Sequence, residues 1–218
     1  ALSGAATGVL GTNTIANLSS TNLAALTSAQ VAGLSTAQLQ ALSSAQVPGL
    51  GTDDIAALSS VQIGALRTAS LAGLDTDQIA ALSSTNVKGL SSAQLLALSS
   101  SQIAALETDD FAQLSSAQLG ALSSKQGAGL TTAQLASLDS AELSKLSTAA
   151  VQGLSTAAIA GLSSTQVPGL TTAQLAAWTT SVQIQALESA DLAQLSSAQV
   201  KSLSSAQLGH LNSAQLAA

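Results

Sequence analysis

From residue 11 to residue 178 the sequence repeats every eight residues without a gap. Leu18, Leu26, Leu34, Leu42, Leu50 and Leu58 open a series that runs on to Leu170 and then Trp178. A second apolar series stands three residues ahead of it: Ile15, Leu23, Val31, Leu39, Val47, Ile55 and onward to Leu175. Counting from the residue after each leucine of the first series, the octad reads S-S-A-Q-L-A-G/A-L at positions 1 to 8. Position 5 lacks a large apolar side chain only at Gly127, and position 8 departs from Leu only at Trp178. After Trp178 the register slips by one residue within 179–183, and it resumes at Ile184 and Leu187. Residues 1–10 read as an irregular start. No linker or shift of composition divides the chain, so the sequence predicts one octapeptide-repeat solenoid over residues 1–218.

This period excludes the simplest folds. Eight residues of α-helix turn through about 800°, so a continuous helix would rotate its apolar stripe by about 80° per repeat and bury nothing. Spacings of five and three also break the alternation of a strand. Each octad instead contains a helix start and a helix stop. Ser or Thr at position 1 with Gln, Asn or Asp at position 4, as in Thr27–Gln30, Ser35–Gln38 and Ser91–Gln94, is close to the capping box, in which the hydroxyl accepts a first-turn N–H and the position-4 side chain reaches back to the cap. Pro48 and Pro168 at position 6 cannot donate to a carbonyl four residues back, so the helix has ended there. Gly at position 7, as in Gly33, Gly49, Gly73 and Gly89, followed by Leu, suggests a Schellman stop. Ala replaces it in many octads, so the shared requirement is a small residue, consistent with close backbone approach.

Charge placement agrees. All the acids fall at positions 1, 3 or 4, while Lys88, Lys145, Lys201 and His210 fall at 6 or 7, the arrangement a helix dipole in every octad favours. One octad cannot bury enough surface to fold alone, so octads must stack, with positions 5 and 8 inside and Ser, Gln and Ala facing water. The expected fold class is therefore all-α, a tight solenoid of very short helices, one per octad. Taking position 5 at every third octad gives a mostly β-branched column (Val31, Ile55, Ile79, Ile103, Gly127, Val151, Leu175) and a mostly Leu column (Leu23, Val47, Leu71, Leu95, Leu119, Leu143, Val167). This sorting favours three octads per coil over the alternative of two.

Little in the chain can do chemistry. Charged residues make up 7% and Cys is absent, which removes disulfides and thiolate metal sites. His210 is the single histidine and reads as a solvated helix-end residue. No catalytic, cofactor-binding or metal-binding residue is expected, and no cofactor. The acidic groups Asp53-Asp54, Asp75/Asp77 and Glu107/Asp109/Asp110 lack the loop pattern of a calcium site, and helix-start placement accounts for them. Asn17-Leu18-Ser19 is a formal glycosylation sequon of the kind Ser-rich sequence produces by chance. Phe111 and Trp178 read as core residues, Phe111 filling the gap left by Gly127 and Trp178 plugging the bulge beside the inserted residue. Net charge is −6 with five scattered bases, Arg67, Lys88, Lys125, Lys145 and Lys201. These cannot neutralise a nucleic-acid backbone or hold an anionic membrane surface, and no apolar run approaches the roughly 18 residues of a membrane span.

Runs such as Leu-Ser-Ser-Ala-Gln-Leu, and Leu-Thr-Thr-Ala-Gln-Leu at residues 130–135, resemble the Ser/Thr-x-x-Gln octad arrays of very large bacterial exported and surface proteins, some of which carry haemolysin-type calcium-binding or adhesin modules. The resemblance covers nearly the whole chain. It implies a non-enzymatic extracellular spacer or scaffold and carries over no functional residue. Beginning at Ala1 inside repetitive sequence without Met, the chain reads as a segment of something longer, or as a processed or designed product. The alternative function is a binding module that uses the solenoid face for protein, glycan or ice. End-to-end self-association is expected of its leucine-bearing ends; the sequence names no partner protein.

The capping box separates adjacent serines. Ser91→Ala should cost about 1 kcal/mol by loss of the cap, whereas Ser92→Ala, at a position with no capping role, should stay within a few tenths of a kcal/mol. Paired urea melts read the difference, and equal effects would refute one capped helix per octad.

Overall fold

In the computed structural model the described residues are 3–178 and 181–218. Among them every regular element is helical: 24 α-helices of four to six residues and three 3-10 segments. The chain forms two compact units, Ala1–Leu114 and Ser115–Ala218, and each is a run of stacked octads. The boundary falls between position 8 of one octad and position 1 of the next.

One hydrogen-bond pattern recurs along the described octads. The N–H of position 5 donates four residues back to the carbonyl of position 1, as Leu95 does to Ser91 at 3.0 Å. The N–H of position 8 then donates three residues back to position 5, as Leu98 does to Leu95 at 3.1 Å. A single α-turn is thus closed by a tighter 3-10 turn, and the chain leaves in extended conformation through Leu98 (φ −67°, ψ 145°). The octads with Val-Pro-Gly are tightened further, to the 3-10 segments Val47–Gly49 and Val167–Gly169, and Val87–Gly89 does the same without proline. The capping boxes are present: the Ser91 hydroxyl accepts from the Gln94 N–H at 3.2 Å, and the Ser91 N–H donates to Gln94 Oε1 at 2.7 Å.

Helices pack on partners three octads away. Thr68–Ala72 lies against Ser92–Ala97 and Ser20–Ala24 against Val47–Gly49 in the first unit, and Ser124–Gly127 lies against Thr148–Gly153 in the second. A coil therefore holds three octads, as the column sorting indicates, and its interior is built by positions 5 and 8. Leu39, Ile55, Ile79 and Leu95 at position 5 are fully buried, and so is Phe111.

Four sequence expectations change. Ser3–Leu10 is not irregular: Ser3 caps helix Gly4–Gly8, and buried Thr7 stands at position 5, its hydroxyl satisfied by the carbonyls of Gly4 and Gln30 at 2.7 and 2.8 Å. The glycines of position 7 do not make a Schellman stop, because no described residue has positive φ; Gly33, for example, is right-handed at φ −77°. Their role is space, since position 7 rests on the backbone of position 2 in the coil below. A Cβ on Gly49 would lie 2.5 Å from the Ser20 carbonyl oxygen, and Gly153 and Gly169 meet Ser124 and Ser140 in the same way. Gly127 is likewise no gap for an aromatic ring to fill, because the backbone of Ala150 occupies the place its Cβ would take. The position-4 glutamines, finally, do not face water; apart from half-buried Gln62 they are buried, Gln38 and Gln134 to 1% exposure.

The inserted residue falls in a stretch whose Thr179 and Thr180 lie outside the described residues, but its consequence is visible around it. Gln183, Gln199 and Gln207 bond carbonyls 29 residues back, at Leu154, Leu170 and Trp178, whereas Gln215 returns to a separation of 28 at Leu187. One extra residue shifts one coil, and the next coil absorbs it. Trp178 is buried beside this stretch and its indole N–H donates to the Val151 carbonyl at 3.1 Å.

The two kinds of glycine should respond oppositely to a methyl group. Gly49→Ala should cost about 1–3 kcal/mol by overpacking the seam. Gly209→Ala, with open space around its Cβ, should stabilise by about 0.5–1 kcal/mol. Denaturant melts of the two variants test this.

Candidate functional site

The recurring chemical device of the chain is the position-4 amide. Gln94 shows its construction. Its Oε1 accepts from the N–H of Ser91 in its own octad, and its Nε2 donates into the coil below, to the carbonyls of Leu66 at 2.8 Å and Ile63 at 3.1 Å. Gln38, Gln46, Gln166 and Gln174 repeat this reach to the position-8 and position-5 carbonyls of the coil below. Gln62 and Gln102 take positions 8 and 6 instead. The carbonyls in question belong to the exit of each octad, where the extended residue interrupts the helical ladder and leaves acceptors without intrahelical donors. Capping and coil-to-coil bonding thus meet in one side chain, because an amide supplies an acceptor and a donor together.

Substitutions in this slot show its tolerance. Asn86 is shorter, and its Nδ2 reaches Ile55 and Leu58 at 3.3 and 3.5 Å. Ser70 bonds the Leu42 carbonyl with its hydroxyl at 3.1 Å. Ala150 has no arm, and the Ser147 hydroxyl from position 1 takes the Leu122 carbonyl in its place; here Gly127 lets the two backbones close in. Asp54 keeps the capping half alone, accepting from the Gly51 N–H at 2.9 Å. Asp110 accepts from the Ser84 hydroxyl at 2.6 Å.

The residues with reactive side chains do not converge. Among the described residues no three of His, Asp and Glu come together as a metal-binding group. Asp75 and Asp139 cap their helices, accepting from Gln78 and Glu142 N–H groups at 2.8 and 2.7 Å. His210 is exposed at the end of helix Ser205–Gly209, with its backbone carbonyl held by Gln185. Asn17 is exposed and its amide donates to Asn13. Among the described residues no helix is long and apolar enough to cross a membrane. One surface feature departs from the pattern. Arg67 replaces the capping Ser, its Nε donates to the Gln40 carbonyl, and it borders an open groove of about 480 Å³ with Gly64, Leu66, Thr68 and Ser91.

A buried amide arm in every coil is the signature of a repeat array, and the ALTTAQ repeat family model matches the chain seven times, at residues 15–52, 32–60, 48–84, 71–106, 103–140, 135–172 and 184–218. The chain belongs to the ALTTAQ repeat family. No curated protein matches it. The Gln of the family's name is the position-4 residue here, in Leu-Thr-Thr-Ala-Gln at 130–134 and again at 170–174.

The double role of Gln94 makes a prediction that capping alone does not. Glu serves a capping box as well as Gln, so Gln94→Glu would be close to neutral if capping were its whole role. Set against the Leu66 and Ile63 carbonyls, the carboxylate should instead cost about 3 kcal/mol or more at neutral pH, and more than Gln94→Ala. Melts of both variants read the order.

Proposed function

We propose that this ALTTAQ array is a non-enzymatic structural spacer or scaffold within an exported or surface protein. The observation that carries the proposal is the way its polar side chains are used. The side chain recurring in octad after octad is buried between coils and satisfied by backbone carbonyls, so it holds the stack together and presents nothing to a substrate. The outer surface, mostly of small residues and sparsely charged, suits a part whose contribution is dimension. The absence of Cys suits an oxidising compartment, where stray thiols are a liability.

Binding through the outer face is the second reading, and the Arg67 groove favours it. An anionic group is the ligand chemistry that fits there, because the guanidinium keeps further N–H donors beside the Thr68 and Ser91 hydroxyls.

A spacer should scale with its repeats. Inserting one further coil of three consensus octads after Leu74 should raise the maximum dimension in small-angle scattering while the cross-sectional radius stays constant. A scattering profile of flexible-coil type, or a cross-section that grows with the insertion, would sink the spacer reading.

A further inference from the structure

Asp191 occupies a position-4 slot in the second unit, where its neighbours in the array carry Gln. It is 3% exposed, and its Oδ2 has no hydrogen-bond partner. The register identifies what that oxygen faces. Gln183 and Gln199, one octad to either side, donate to the carbonyls of Leu154 and Leu170, each 29 residues back; the same step from Asp191 arrives at Leu162. A slot built for a donor therefore holds a group that, when ionised, can only accept.

Two other short side chains in such slots show what each protonation state can do. Asn86 is the same size as Asp and reaches across to Leu58 and Ile55 through Nδ2, so a protonated carboxyl has the length to donate in the same way. Asp110 shows how a side chain that only accepts is satisfied in this slot, by a hydroxyl donor from Ser84. Allowing for the inserted residue, the matching serine below Asp191 is Ser164, which is exposed and makes no bond to it. Among charged groups, Glu188 on the same octad faces Asp191. The octads 155–162 and 163–170 below carry no ionisable side chain, and neither does helix Ser213–Leu216, which packs against Ser189–Leu192. Lys201 and His210 in the neighbouring octads are exposed.

We propose that Asp191 is a protonation switch in the seam between coils: the neutral acid donates to the Leu162 carbonyl as Asn86 does to Leu58, and ionisation removes that donor and loosens the seam. The proton moves between Oδ2 and water, and no other group is consumed. Burial, and then the Glu188 carboxylate, push the Asp191 carboxyl above the ordinary aspartate range, while a hydrogen bond from the Glu188 backbone pulls the other way. A carboxyl raised in the folded state is held in its protonated form more tightly there than in the unfolded chain. Its stabilising effect is complete below the unfolded value and is lost as pH rises through the folded value. This direction is opposite to that of a capping or ion-paired carboxylate.

The test uses the full chain. Carboxyl-detected NMR should give Asp191 a midpoint above that of exposed Asp53; a midpoint at or below it overturns the proposal. Hydrogen exchange at the Leu192, Gln194 and Leu195 amides, corrected for intrinsic rate, should become more protected from about pH 7 to about pH 4.5, by up to about tenfold per pH unit, the limit for one titrating group. Asp191→Asn should hold the protected level at both pH values, and Asp191→Gln should do so as well if the shorter variant fails to fold. A pH dependence that persists in either folded variant refutes the switch. Calcium chloride at neutral pH is the remaining arm. Protection of the wild-type amides by the metal would assign Asp191 to a cation site and overturn the proposal, and unchanged exchange supports protonation.

Discussion

Within each unit, coils are bonded to the ones below through the carboxamide of position 4, and the rest of the octad is arranged around that bond. The amide can reach down because position 1 fixes its oxygen, and it finds acceptors because every octad breaks its own ladder at position 8. The capped start and the 3-10 stop are therefore more than local punctuation. They generate the buried carbonyls that would be costly if left alone, and Gln satisfies them. The leucines and isoleucines supply the burial that drives stacking, yet apolar contact is non-directional. The amide arm fixes the angular register, since a coil rotated by one residue would lose its acceptors.

The seam also explains the small residues. Arms of fixed length hold successive coils close enough for position 7 to rest on the backbone of position 2, where Gly or Ala predominates, although Gln113, Lys145 and Gln194 also stand at this position. Where the arm is missing, at Ala150, the opposing position 5 is itself glycine, and the backbones approach until a serine hydroxyl can make the bond. Gly127 and Ala150 are thus one local solution to a missing side chain. The inserted residue within 179–183 shows tolerance in the other direction. The bonding distance along the chain lengthens by one for Gln183, Gln199 and Gln207 and then returns, while the bonds themselves are kept.

Much of this was legible in the sequence. The octad length, the capped start, the interior role of positions 5 and 8 and the three-octad coil all follow from spacing and from the sorting of β-branched residues into one column. The second half of the glutamine's work was not, because the capping box already accounted for a polar residue at position 4. A signal was present nonetheless. A capping box accepts Glu as readily as Gln, yet Gln recurs throughout and Glu appears only at Glu142, which makes the capping bond and is half-buried. Counting Asp54, Asp110 and Asp191 as well, carboxylates in this slot are still far fewer than glutamines, and that bias toward the amide is the mark of a donor requirement. Glycine misled for a related reason: at the end of a helix it suggests a left-handed stop, and the sequence of a single octad contains no trace of the neighbouring coil that forbids a Cβ. Thr7 hid the first octad because a hydroxyl in a core column looks like a break in the pattern, although the Gly4 and Gln30 carbonyls satisfy it.

The glutamine arms all point the same way along the chain. From Gln38 and Gln94 to Gln174 and Gln215, the position-4 amides donate to carbonyls of residues that precede them, so a coil does not wait on the arm of a later one for its own. A ribosome delivers residues in that order. The acceptors of a coil are in place before the donors that will seek them have been made, and the finished surface of one coil is the template on which the next is laid. Growth can proceed one turn of the stack at a time behind the exit tunnel, with no long-range pairing held open to wait for the end of the chain. A tandem array can thereby lengthen in evolution by whole coils without confronting the slow search for distant partners that limits other folds of its size.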